Sequence, residues 1–152
     1  MSTPAIRVAG LLAILLLSVS CENSPIRFGS PGDLPARSFI SRIGDKEIQF
    51  GLTDTEIMKF PSWSPKLAPP IPTSEVIEIA EKELPKVTHG TQGWYVRGIS
   101  IEQVRRSSDG NDKWIYLVSF GGIGDGDYVQ LPVTFSGTPV KGVERPLSKD
   151  HH

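Results

Sequence analysis

Apolar and polar positions alternate most regularly in the second half of the chain. Residues 94–104 carry Ile99 and Ile101 on one face. Residues 113–120 hold WIYLVSF, rich in β-branched and aromatic side chains. Residues 128–135 place Val129, Leu131, Val133 and Phe135 on one face and Tyr128, Gln130 and Thr134 on the other. A period of two in such residues predicts three strands. Pro132 falls on the polar side of the third and has no N–H to donate, which points to a sheet edge or a bulge. Ahead of the strands, Val76, Ile77, Ala80, Leu84 and Val87 recur at three-four spacing, with Glu75, Glu78, Glu81 and Lys82 turned away. That is an amphipathic helix over 73–87, capped by Thr73 or Ser74 and stopped at Pro85.

Shorter signals surround this block. The runs FISRI and KEIQF flank Gly44-Asp45, a pair whose first position favours positive φ, and so predict a β-hairpin over 38–52. Thr53 and Glu56 have capping-box spacing before Ile57, Met58 and Phe60, which predicts one or two helical turns ended by Pro61. Residues 60–72, FPSWSPKLAPPIP, hold five prolines and read as an extended strap carrying Trp63 and Leu67. Turns are expected at 108–111, 121–127 and Ser136-Gly137, with a last short strand near 140–143. The expected fold class is therefore α+β: one amphipathic helix on a three- to four-stranded antiparallel meander, preceded by a β-hairpin and a Pro-rich strap.

Composition adds limits. The chain has 152 residues, 38% apolar and 22% charged, with 16 Lys+Arg against 17 Asp+Glu. The size suits one domain, and the balanced charge gives no single-sign field to draw nucleic acid. Gly121–Gly126, GGIGDG, lacks the lysine and the strand-to-helix context of a phosphate loop, so no nucleotide is expected.

The amino terminus is patterned differently. One basic residue, Arg7, precedes twelve residues, 8–19, that are apolar apart from Gly10 and Ser18. The run is short for a membrane span and right for a signal-peptide core. Directly behind it stands Cys21, the one cysteine of the chain. Ser18-Val19-Ser20-Cys21 resembles the lipobox of bacterial lipoproteins, although Ser18 stands where Leu is commonest. The resemblance implies removal of residues 1–20, attachment of a lipid to the Cys21 thiol, and an exported protein held at an inner or outer membrane of the cell envelope. A soluble secreted protein with a free thiol is the alternative. Residues 21–37 then form the lipidated cysteine and its Pro-, Gly- and Ser-rich tether, 38–72 the hairpin, helical turn and strap, 73–147 the main domain, and 148–152 a tail.

The order helix, strand, strand, strand, with the pattern S-x-x-x-x-x-A, WYV and WIYLVSF, resembles PepSY and cystatin-like α+β modules of envelope proteins. Modules of that kind are mostly non-enzymatic, and several bind or inhibit peptidases.

Candidate chemistry is sparse. His151 and His152 end the chain, and His89 stands in a loop with no nucleophile motif around it. Asp109, Asp112, Asp125 and Asp127 are candidate oxygen ligands in two Asp-Gly loops that would have to lie at one edge of the sheet to share an ion; neither follows an EF-hand plan, and such loops are also what tight turns require. No metal or cofactor is therefore expected. Trp63, Trp114, Tyr116 and Tyr128 make the candidate partner surface, because both faces of 113–120 are apolar: either the hairpin and strap cover the second face or a partner does. The expected function is that of a lipid-anchored, non-catalytic binding or accessory module, with another envelope protein as its candidate partner; a peptidase-inhibitor-like module and a hydrolase using loop carboxylates are the alternatives.

Overall fold

The computed structural model describes residues 34–90, 92–124 and 126–147. Six strands form one antiparallel sheet: β1 (Arg37–Ile43), β2 (Lys46–Leu52), β3 (Tyr95–Arg105), β4 (Lys113–Gly121), β5 (Tyr128–Thr134) and β6 (Gly142–Pro146), in the order β3-β4-β5-β1-β2-β6. A helical turn, α1 (Asp54–Met58), and one longer helix, α2 (Thr73–Thr88), accompany it.

This corrects the expected α+β fold class. Among the described residues the protein is mostly sheet, and α2, of 16 residues, is the one substantial helix. The hairpin is not an appendage ahead of a meander. It enters the same sheet beside β5, and the last strand pairs with β2 at the far side instead of returning to β5. Periodicity finds strands but carries no information about which distant strands pair, and that pairing decides the class.

The local signals work as their chemistry requires. Gly44 turns the β1–β2 hairpin at φ 57°, and residues 37–43 pair in register with 46–52. Thr53 caps α1 reciprocally: its hydroxyl accepts from the Glu56 N–H at 3.3 Å, and the Glu56 carboxylate accepts from the Thr53 N–H at 2.8 Å. The ends of α2 differ from expectation. Pro72 is the N-cap and gives no side-chain bond, while Pro85 lies inside the helix, which continues to Thr88 and stops at His89 with φ 57°. The Thr88 hydroxyl donates to the Leu84 carbonyl at 2.9 Å, tightening the last turn beyond the proline.

The sheet has a seam. β4 pairs continuously with β5, but β5 and β1 share one register pair, Arg42 with Tyr128. Beyond it the Ser41 side chain replaces the ladder: its oxygen accepts from the Gln130 N–H at 2.8 Å, and its hydroxyl faces the Gln130 carbonyl at 3.4 Å. The chain after β5 fills the remaining edge, with the Val140 N–H donating to the Pro132 carbonyl at 2.9 Å. Pro132 is therefore on neither an outer edge nor a bulge. It is buried in an interior strand, at the point where β1 has already left and no ladder N–H is needed.

One contiguous core joins all these parts. Val76, Ala80 and Leu84 of α2 meet the sheet face formed by Val118, Phe120, Val129, Leu131 and Val133, all buried. Ile115 and Leu117 point the other way and are buried too, so both faces of β4 are covered. Ile57 of α1 belongs to the same core, and α1 is held to the ends of β3 and β4 by Asp54 with Arg105 at 2.8 Å and by the Lys113 ammonium on the Phe60 carbonyl at 2.8 Å.

Candidate functional site

Three of the four candidate surface aromatics are spent on the fold. Trp63 stands edge-on to Trp114 and to Phe135, ring centroids 5.4 Å apart in each case, and its indole N–H donates to the Ala68 carbonyl at 3.1 Å. The strap therefore clamps the sheet through Trp63. Tyr116 is fully buried; its hydroxyl donates to the Ile71 carbonyl at 2.9 Å and accepts from the Ile71 N–H at 3.1 Å. It presents nothing to a partner, a correction to the expected surface that follows from strap and helix covering the same face. Trp114 is half-buried beside them, and its indole nitrogen has no hydrogen-bond partner.

Tyr128 is different, because it lies on the opposite face. Cross-strand register places Tyr95, Gly121, Tyr128 and Arg42 in one row across β3, β4, β5 and β1, with Gly98, Ser119 and Gln130 in the next row. Arg97 is the extra residue where β3 shifts register between Val96 and Gly98. The small side chains of the second row leave an open groove of about 350 Å³, with Arg97 and Tyr128 on its rim. A second hollow of about 540 Å³ adjoins it between Tyr95, Arg97, Tyr128 and the glycine loop. Tyr95 and Ile123 beside it are 59% and 83% exposed, unusual for residues of their size. The first groove is lined by hydroxyls, an amide, a guanidinium and a phenol, with no carboxylate, His or Cys among its lining residues. Such a surface offers stacking and hydrogen-bonding groups. The sequence reading singled out Tyr128 and overlooked Arg97, whose role depends on a bulge that alternation does not reveal.

The glycine loop has a packing explanation. A Cβ on Gly124 would lie 2.3 Å from a carboxylate oxygen of Asp127, and one on Gly122 would lie 2.8 Å from the Asp127 Cβ. Asp127 also accepts from the Gly44 N–H at 2.7 Å, tying this loop to the hairpin tip. The close approach needs glycine without any phosphate.

The two acidic loops stand at opposite ends of β4, which separates them by roughly 30 Å at the ordinary rise per residue. They therefore cannot share an ion, and among the described residues no group of three potential ligands comes together. Asp125 lies outside the described residues. In the β3–β4 turn, Asp109 accepts from the Ser107 hydroxyl, from the Asn111 side chain at 2.8 Å and from the Asn111 N–H at 3.1 Å. These bonds hold its carboxyl down to about 2. Asp112 accepts from the Ser107 N–H at 2.8 Å. Both carboxylates build the turn.

His89 is exposed at the end of α2, its Nε2 3.5 Å from a Glu144 oxygen, and the other Glu144 oxygen meets the Lys46 ammonium at 2.5 Å. The Lys46 hydrogen bond, with a smaller share from His89, lowers the Glu144 carboxyl below its ordinary value, and Glu144 raises Lys46. The groups with shifted titration are thus a surface pair and a turn carboxylate, and they do not converge on one pocket.

Cys21, residues 1–20, the tether as far as residue 33, and the tail with His151 and His152 lie outside the described residues. Among the described residues no helix is long and apolar enough to cross a membrane. No family model matches the chain, and neither a curated protein nor a solved structure matches it.

Proposed function

We propose that this protein is a lipid-anchored, non-catalytic module of a bacterial cell envelope, which binds a partner through the open face around Tyr95, Arg97 and Tyr128. The observation that carries the reading is the position of Cys21. The one thiol of the chain follows a twelve-residue apolar run and Ser20, where attachment of a lipid to sulfur and a cut just before it would use it. Acylation at two or more sites makes anchoring stable where a single chain is marginal.

The binding half of the reading is supported by the composition of the groove. Aromatic rings and a guanidinium around Gly98, Ser119 and Gln130 suit recognition, and Asp109 and Asp112, which a hydrolase could use, are engaged in their own turn.

The test separates anchor from partner. Cys21→Ala should move the protein from the membrane fraction to the soluble fraction and abolish incorporation of labelled palmitate. A variant that stays on the membrane and still carries label would defeat the anchor. Tyr128→Ala with Arg97→Ala should leave the anchor intact and abolish crosslinks to envelope proteins; unchanged crosslinks would move the binding face elsewhere.

A further inference from the structure

The end of the domain that receives the tether differs from the end that carries Tyr95 and Tyr128. Leu34 and Met58 are 63% and 56% exposed there. At this end lies an open groove of about 450 Å³, with Leu52, Phe60, Pro61, Pro139 and Val140 in its walls. Pro35, the residue after Leu34, packs against Gly51, which lines the groove, so the incoming chain arrives at its mouth.

The rim is cationic. Lys59 and Lys141 both line the groove and both are exposed. Glu56 lines the groove too and keeps its charge, because its capping-box partner Thr53 is neutral, so the two lysines leave the rim net cationic; Asp54 is paired with Arg105. At the opposite end the hairpin tip carries Asp45 and Asp127. Apolar tips with a lysine fringe are the chemistry of a surface that rests among the headgroups of an acidic bilayer.

From these observations we infer that the tether end of the domain docks on the membrane surface itself, with Met58 and Leu34 among the headgroups and Lys59 and Lys141 on acidic phospholipid phosphates. The inference rests on the anchored reading. Cys21 lies 13 residues before Leu34, and a chain of that length reaches at most about 45 Å, so acylation would hold this end near the bilayer. Docking would turn the Tyr95–Tyr128 face away from the lipid, toward whatever it binds. A protein segment is the other occupant the groove admits, and the experiment distinguishes the two.

The acylated full-length protein is purified from its membrane and reconstituted into vesicles of phosphatidylcholine with or without phosphatidylglycerol. With Cys21 acylated, a Met58→Cys thiol takes an environment-sensitive fluorophore, and Ile123→Cys at the far end serves as control. Flotation with the vesicles reports the anchor independently of the probe. The Met58 label should shift to the blue and be quenched by lipid-borne nitroxides when phosphatidylglycerol is present, while the Ile123 label stays in water. Changing Lys59 and Lys141 to Glu should return the Met58 label to water without loss of flotation. Flotation with the Met58 label in water under all conditions overturns the docking and leaves the groove to a protein segment. Failure to float overturns the anchor, and the docking with it.

Discussion

Between β3, β4 and β5 the ladders run through nine and seven paired residues, whereas β5 and β1 meet at a single pair. The first block, covered by α2 and the Trp63 strap, is held by backbone pairing. The second, β1 with β2 and β6, is internally regular, with seven and five pairs, but joins the first through the Ser41 hydroxyl and a shared apolar core. Hydrogen bonding divides the molecule where packing unites it. Which of the two governs unfolding is open to measurement.

Packing should dominate, because burial supplies more than one side-chain bond does. Phe50 is fully buried between the blocks' shared core and Phe39, its partner across the hairpin. Phe50→Ala should cost about 3–5 kcal/mol, and urea denaturation followed by tryptophan fluorescence should still show one transition. The tryptophans all lie outside β1, β2 and β6, so a midpoint unmoved in fluorescence but lowered in backbone circular dichroism would mean that the halves unfold separately.

The seam itself is a smaller term. Ser41→Ala removes only the hydroxyl and leaves the part-buried Gln130 N–H without its acceptor. The expected loss is about 1–3 kcal/mol, with the Gln130 amide exchanging faster in deuterium-exchange measurements than its neighbours on the β4 side. Unchanged exchange at Gln130 would show that β1 closes the ladder without the hydroxyl.

The smallest effect concerns the outer edge. Glu144 titrates below its ordinary value when folded, so its contribution is present at neutral pH and is lost as pH falls through that depressed value. Lys46 titrates higher when folded, so its share is lost only as pH rises through the raised value. Thermal melts of wild type and Lys46→Met should therefore differ most between these limits and converge in acid. Parallel curves across the whole range would remove the pair from the account.

The same division explains what could be read in the sequence. β3, β4, β5 and α2 were legible because their periodicity is local and their neighbours are adjacent in the chain. The hairpin was legible as a hairpin, from Gly44-Asp45, but not as the centre of the sheet. Its place depends on Arg42 meeting Tyr128 and on residues 142–146 reaching β2, contacts across most of the chain that no local pattern encodes. Pro132 misled for the same reason: a missing N–H suggests an edge, and here the interior strand has an unladdered side. The opposite placement of the two acidic loops was already implicit in an antiparallel β3–β4–β5, where successive turns fall at alternate ends. Of the candidate site, Tyr128 was visible and Tyr95 stood in the WYV run, but Arg97 needed the bulge.

The account depends most on what happens to Cys21. The direct measurement is intact-mass and amino-terminal peptide analysis of the protein extracted from its own membranes. The predicted result is a mature chain that starts at Cys21 and carries the added mass of its acyl groups. A chain that retains residues 1–20, or one that begins elsewhere with a free Cys21 thiol, would contradict it.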